Sequence, residues 1–132
     1  MKWSRINARG RRRVPGEKNA TERARALVLE AQLQAGELLW YGFEAVSFRL
    51  GRGSRYEPDF VVVLADGLVV IEEVKGTAGW RLDSESRTKW IAAAEKNPWA
   101  LFRVAVRRRK KDGGGWDVEE YRPHGGLGGG DE

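Results

Sequence analysis

Cysteine is absent from the chain, which excludes a disulfide framework, zinc-finger ligation and thiol catalysis together. Histidine is nearly absent too. The single His124 stands in the glycine-rich stretch HGGLGGGDE, outside the predicted core, and is a poor candidate for catalysis. No apolar run approaches the roughly eighteen residues that cross a bilayer, and the arginine-rich start lacks the hydrophobic segment of a signal peptide. The expectation is an intracellular protein with no membrane partner. No internal repeat is visible.

What is present points to one globular domain. A chain of 132 residues, 41% hydrophobic and 10% aromatic with six Trp, carries enough apolar surface for one core. The 24 Lys and Arg against 19 Asp and Glu leave a net charge of +5, which favours polyanionic partners. Two blocks concentrate it. Up to Lys18 the charges are positive save Glu17, with Arg11, Arg12 and Arg13 consecutive. Arg107, Arg108, Arg109, Lys110 and Lys111 follow a predicted strand. Residues 1–18, with Gly10, Pro15 and Gly16 and no apolar period, are expected to form a mobile basic arm. Residues 19–122 are expected to fold, and residues 123–132 to form a glycine-rich disordered tail.

Within 19–122 the stretch TERARALVLEAQLQAGELL is built of helix formers, with Asn19 or Thr21 as its cap. Glu22, Ala26, Leu29, Leu33 and Gly36 share one face, so a glutamate heads an apolar stripe. Period alone favours reading Glu22 as a first-turn charge that complements the helix dipole. FEAVSFRL alternates like a strand with one buried face, and GRGSR is a flexible basic turn containing Arg52 and Arg55. Two near-continuous Val and Ile runs, 60–64 and 68–74, read as central strands joined at Asp66 and Gly67. Asp83 or Ser84 caps a second helix through Lys96, which ends at an Asn-Pro pair. LFRVAV and WDVEEY close the order α-β-β-β-α-β-β, the last an exposed edge strand.

A hairpin centred on Asp66 places Leu64 opposite Leu68 and Asp59 opposite Glu73. Directly opposed side chains stand about 5 Å apart at Cβ, so an Asp and a Glu there need something between them. Strand parity adds Lys75 to the face of Glu73 and sends Glu72 and Val74 the other way. Hard cations such as Mg²⁺ take one or two carboxylates and keep exchangeable waters, and a lysine beside them suits phosphodiester hydrolysis.

The segments PDF and EVK resemble the PD-(D/E)XK nuclease superfamily. The stretches TERARALVLEAQLQAGEL, YEPDF, VVIEEVKG and SRTKWIAAAEKNPWALFRVAV are similar to small phage endonucleases, including the Holliday-junction-resolving enzymes of tailed phages. That resemblance implies an α/β (α+β) fold with a restriction-endonuclease-like core, a central mixed sheet flanked by helices, and a nuclease domain over 19–122. It implies Glu22 on the first helix supporting or contacting the metal site, reversing the preference from period alone. Asp59 and Glu73 become metal ligands, the Val74 carbonyl a further one, and Lys75 the catalytic lysine. Mg²⁺ is the implied cofactor, with Mn²⁺ as a substitute. Arg87 and Lys89 are implied to face the scissile phosphate or the DNA backbone. Arg11, Arg12, Arg13, Arg52, Arg55, Arg107, Arg108 and Arg109 are the other expected DNA contacts.

Glu72 competes with Glu73, but strand parity and the position two before Lys75 favour Glu73. Trp40, Tyr41, Phe43, Trp90 and Trp99 are expected in the core or at a subunit contact rather than as base-stacking platforms. The expected partner is branched DNA, bound by a homodimer of phage or prophage origin in a bacterial cytoplasm. A nuclease for linear or single-stranded DNA, or a non-catalytic DNA-binding module, is the alternative.

Overall fold

The computed structural model describes residues 16–76, 84–122 and 126–127. Helix α1, Ala20–Gln34, starts at Asn19, whose Oδ1 accepts the Glu22 N–H at 2.8 Å while Glu22 Oε1 accepts the Asn19 N–H at 2.9 Å. This reciprocal cap satisfies two amides with no partner inside the helix. It also pins the carboxylate of Glu22.

The helix ends sooner than its composition suggests. Gly36 takes φ 82°, and the Gly36 and Glu37 amides donate to the carbonyls of Leu33 and Gln32. Such a left-handed closure is inexpensive for glycine alone. Residues 38 and 39, expected as helix, instead open strand β1, Leu38–Phe43, which pairs antiparallel with residues 60–64. The expected strand over 43–50 shrinks to β2, Phe48–Gly51, and part of the expected turn becomes β3, Ser54–Tyr56.

Strands β4, Phe60–Leu64, and β5, Val69–Lys75, form the hairpin in the expected register: Phe60 pairs with Glu72, Val61 with Ile71 and Val63 with Val69. Gly67 at φ 92° and the Asp66 carboxylate, which accepts the Leu68 N–H, make the turn. Helix α2, Ser84–Lys96, precedes β6, Leu101–Arg107, which runs parallel to β5. A short 3₁₀ turn, Lys110–Asp112, leads to β7, Trp116–Arg122, and β8, Gly126–Leu127. The main sheet is ordered β1-β4-β5-β6-β7-β8, with β2 and β3 forming a separate ribbon. The mixed sheet between helices is the expected core, with β1, β3 and β8 added to the expected order. The two residues of β8 lie inside the stretch expected to be a disordered tail.

Helices on both faces explain the Val and Ile runs. Leu29 of α1 packs with Leu38, Phe60, Val62, Val70 and Val74 on one face. Trp90, Ala93 and Ala94 of α2 pack with Tyr56, Val61, Ile71, Phe102 and Val104 on the other. Of the other aromatics, Tyr41 and Phe43 are half-buried, whereas Trp40 and Trp99 are 48% and 59% exposed. Among the described residues no helix is long and apolar enough to cross a membrane.

On the α1 face lies a wholly buried carboxylate. Glu72 accepts from Arg25 Nε and Nη2 at 2.7 and 2.9 Å and from Arg103 Nε at 2.6 Å. Two guanidiniums meeting one carboxylate hold α1, β5 and β6 together. Glu72→Ala leaves both cations without their anion and is expected to cost about 3–5 kcal/mol, read as a lower urea midpoint. An unchanged midpoint would show the triad to be dispensable.

Candidate active site

The register that pairs Phe60 with Glu72 brings Asp59 opposite Glu73, one step beyond the last ladder pair. Asp59 Oδ2 accepts the Val74 N–H at 2.8 Å, so the side chain is tied across the hairpin. Both carboxyls are buried, with 7% and 8% exposure. Lys75 Nζ stands 3.5 Å from Glu73 Oε2, and the Tyr56 hydroxyl donates to Glu73 Oε1 at 2.7 Å. From α1, the buried Glu22 comes within hydrogen-bond reach of Asp59. The four residues expected to do the chemistry, Glu22, Asp59, Glu73 and Lys75, thus meet at one end of the hairpin.

Their electrostatics are unbalanced. Burial, then the negative charge of Glu73, pushes the Asp59 carboxyl up to about 8; the Val74 N–H opposes this and Glu22 adds to it. Burial also raises Glu73, against the pull of the Tyr56 hydroxyl and Lys75. Tyr56 itself is held well above the usual phenol range by burial and by Glu73. Among the described residues, three buried carboxyls gather beside the Lys75 ammonium. Such a cluster is relieved either by binding protons or by binding a cation.

Among the described residues no three acidic or imidazole side chains are already arranged as a ligand set. Asp59 and Glu73 nevertheless form a pair, and a hard cation such as Mg²⁺ is commonly held by one or two carboxylates with waters completing its shell. The donor chemistry therefore fits. Val74 contributes its N–H to Asp59, while its side chain belongs to the α1-face core.

A cleft of about 420 Å³ opens onto Glu73, lined by Arg55, Tyr56, Glu57, Glu85, Ser86 and Lys89. Protein-family models, curated proteins and solved structures contain no match to this chain. The site therefore stands on its own geometry.

Of the expected DNA contacts, Arg55 and Lys89 line the cleft, Lys89 3.8 Å from Glu85. Arg52 is exposed at the tip of the β2–β3 ribbon. Arg87 Nη2 donates to Glu119 of β7 at 3.0 Å. Because Lys75 pairs with Val106, the block that begins at Arg107 leaves the sheet at the same end as Lys75. Arg107 lies over Trp116, Arg108 is 3.5 Å from Asp117, and Arg109 donates to Asp112 at 3.0 Å. Arg11, Arg12 and Arg13 lie outside the described residues. Gly16, which follows them, donates its N–H to Glu44, whose own amide donates to the Asp59 carbonyl.

Two residues were missed from sequence. Tyr56 occupies the first place of YEPDF, three residues before Asp59, so strand alternation carried through Pro58 would have put it on the face away from Glu73. Arg25 follows Glu22 by three and precedes Leu29 by four, so helical period already put it on the buried face. Tyr56→Phe removes a buried donor from Glu73 and is expected to cost about 1–3 kcal/mol. A chemical-denaturation midpoint equal to that of the unchanged protein would contradict this.

Proposed function

We propose that the chain is a divalent-cation-dependent DNA endonuclease of the PD-(D/E)XK type, acting on branched DNA such as a four-way junction. The observation that carries the reading is the buried pair Asp59 and Glu73, opposed across the hairpin with Lys75 on the same face and Glu22 beside Asp59. In this reading Asp59 and Glu73 hold Mg²⁺ or Mn²⁺. A bound cation of this kind polarises the scissile phosphate and makes its water acidic enough to attack at neutral pH.

The chain's own residues do the rest. Lys75 offers an ammonium where charge develops on the non-bridging phosphate oxygens. The Tyr56 hydroxyl fixes one oxygen of Glu73 and leaves Oε2 toward Lys75. Glu22, held by its capping bonds, adds negative charge beside Asp59 and strengthens the demand for a cation. Arg55 and Lys89 line the cleft through which a strand reaches Glu73, and the block from Arg107 to Lys111 extends the basic surface. Contacts of this sort grip backbone and carry no base sequence, so selectivity rests on DNA shape. Paired cuts across a junction require two such sites, hence a homodimer.

The test incubates the protein with a labelled four-way junction and with its linear duplex arms, in Mg²⁺ or chelator, beside Lys75→Ala. Paired nicks confined to the junction, absent with chelator and in the variant, support the full reading. Equal cutting of both substrates keeps the nuclease and removes the branched preference. DNA binding with no cutting in Mg²⁺ or Mn²⁺ replaces the enzyme with a binding module.

A further inference from the structure

The β2–β3 ribbon is set apart from the main sheet and is two-faced. Its inner face, with Phe48, Leu50 and Tyr56, packs on the core beneath α2. Its outer face is cationic. Arg49 and Arg55 are directly paired across the two strands, both exposed, and Arg52 occupies the tip beside Gly53 at φ 71°. Like charges in direct cross-strand register repel, so this pairing works against the ribbon's own stability. No acid offsets it. Arg55 donates only to neutral oxygens, Ser47 Oγ at 2.7 Å and the Ser47 carbonyl at 3.4 Å. Arg49 and Arg52 have no ion-pair partner among the described residues.

Two exposed arginines opposed across the strands, with no ion-pair partner among the described residues, are suited to share an anion. The same Arg55 lines the cleft that opens onto Glu73, next to Tyr56, which bonds Glu73 directly. From the paired arginines to the tip, Arg52 adds a third cation about 10 Å along the ribbon at the usual strand rise. A track of that length spans several phosphates of one strand, whose charges rise about 3.4 Å each along the helix axis. A single small anion has no use for it.

We infer that the β2–β3 ribbon is a backbone-phosphate clamp for double-stranded DNA, with Arg49 and Arg55 sharing one phosphate and Arg52 holding another further along the same strand. Insofar as it feeds a strand toward Glu73, the clamp rests on the nuclease reading; its binding of DNA does not. It gives Arg49 a role equal to that of Arg55 and assigns the ribbon, rather than the basic arm alone, the placement of the duplex at the cleft.

Arg49→Glu tests this because the new carboxylate faces Arg55 and forms a favourable cross-strand pair, so the ribbon stays folded. Binding of a labelled duplex is measured by fluorescence anisotropy in chelator across a series of KCl concentrations, with thermal melting alongside. Arg49→Glu is expected to melt no lower than the unchanged protein, to bind at least about tenfold more weakly, and to lower the salt slope by about one to two. Arg49→Lys is expected to retain most of the affinity. Unchanged affinity and slope in Arg49→Glu would overturn the clamp, as would failure of the unchanged protein to bind duplex at low salt. Displacement of the duplex by inorganic phosphate, but not by chloride of equal ionic strength, would replace the clamp with a small-anion site. Cleavage is scored separately in Mg²⁺: a variant that binds and cuts normally sinks the clamp and leaves the nuclease. An unchanged protein that binds through the ribbon yet never cuts sinks the nuclease and leaves the clamp.

Discussion

Asp59→Asn is expected to stop DNA cleavage while making the protein harder to melt at alkaline pH. The two effects share one cause. Asp59 is an acid whose carboxyl, ordinarily near 3.8, is pushed up to about 8 in the fold by burial and by Glu73. Below about pH 4 both folded and unfolded chains hold the proton, and the residue is neutral in each. As pH rises from about 4 to about 8, the unfolded chain releases its proton while the native one keeps it, so stability falls across that window. Above it the loss is complete, on the order of a few kcal/mol. Asparagine has the same shape, can still accept the Val74 N–H, and cannot ionise. In chelator at pH 9 the variant is expected to melt several degrees higher, roughly 4 °C for each kcal/mol recovered, the gap closing toward pH 4. Adding Mg²⁺ or Mn²⁺ at pH 8 should raise the melting temperature of the unchanged protein and leave the variant where it is. Cleavage should fall by more than the about 10–100-fold that loss of an outer-shell partner costs a metal site. Melting curves with and without cation, beside a nicking assay, decide the matter. A variant that cuts normally, or melts lower at pH 9, would remove Asp59 from the site.

Lys75→Met is expected to lower the rate of cutting by about 10²–10³-fold, the usual loss when one donor to a developing oxyanion is taken away. Methionine keeps an unbranched apolar stem in a position whose side chain is only 19% exposed. What disappears is the ammonium 3.5 Å from Glu73 Oε2. Single-turnover rates should therefore fall while duplex affinity, measured in chelator, changes little. Lys75→Arg is expected not to restore the rate, because a planar fork does not reproduce a compact ammonium. Cutting by Lys75→Met at the normal rate would show that the lysine only neutralises Glu73.

Much of the site was legible because β-structure near a tight turn is local. Asp66 and Gly67 specify a turn, the turn sets the register, and the register alone puts Asp59 against Glu73. Strand parity then separated Glu73 from Glu72, and the fold gives the two adjacent glutamates opposite tasks: one joins Tyr56 and Lys75, the other Arg25 and Arg103. The end of α1 was less legible. Leu38 and Leu39 continue an apolar helical pattern, and only pairing with β4 draws them into a strand. The bond from Arg87 to Glu119 was not legible either, since the two lie 32 residues apart on different elements.

The sequence by itself determined the hairpin and the face on which Asp59, Glu73 and Lys75 gather, because turn chemistry and a two-residue period act over a few neighbouring residues. Only the tertiary structure decided that Glu22 reaches Asp59, that Tyr56 bonds Glu73, and that Arg49 and Arg55 stand paired beside the cleft. Those meetings depend on how a helix and a separate ribbon dock against the sheet. Packing across many residues sets that docking, and no local period carries it.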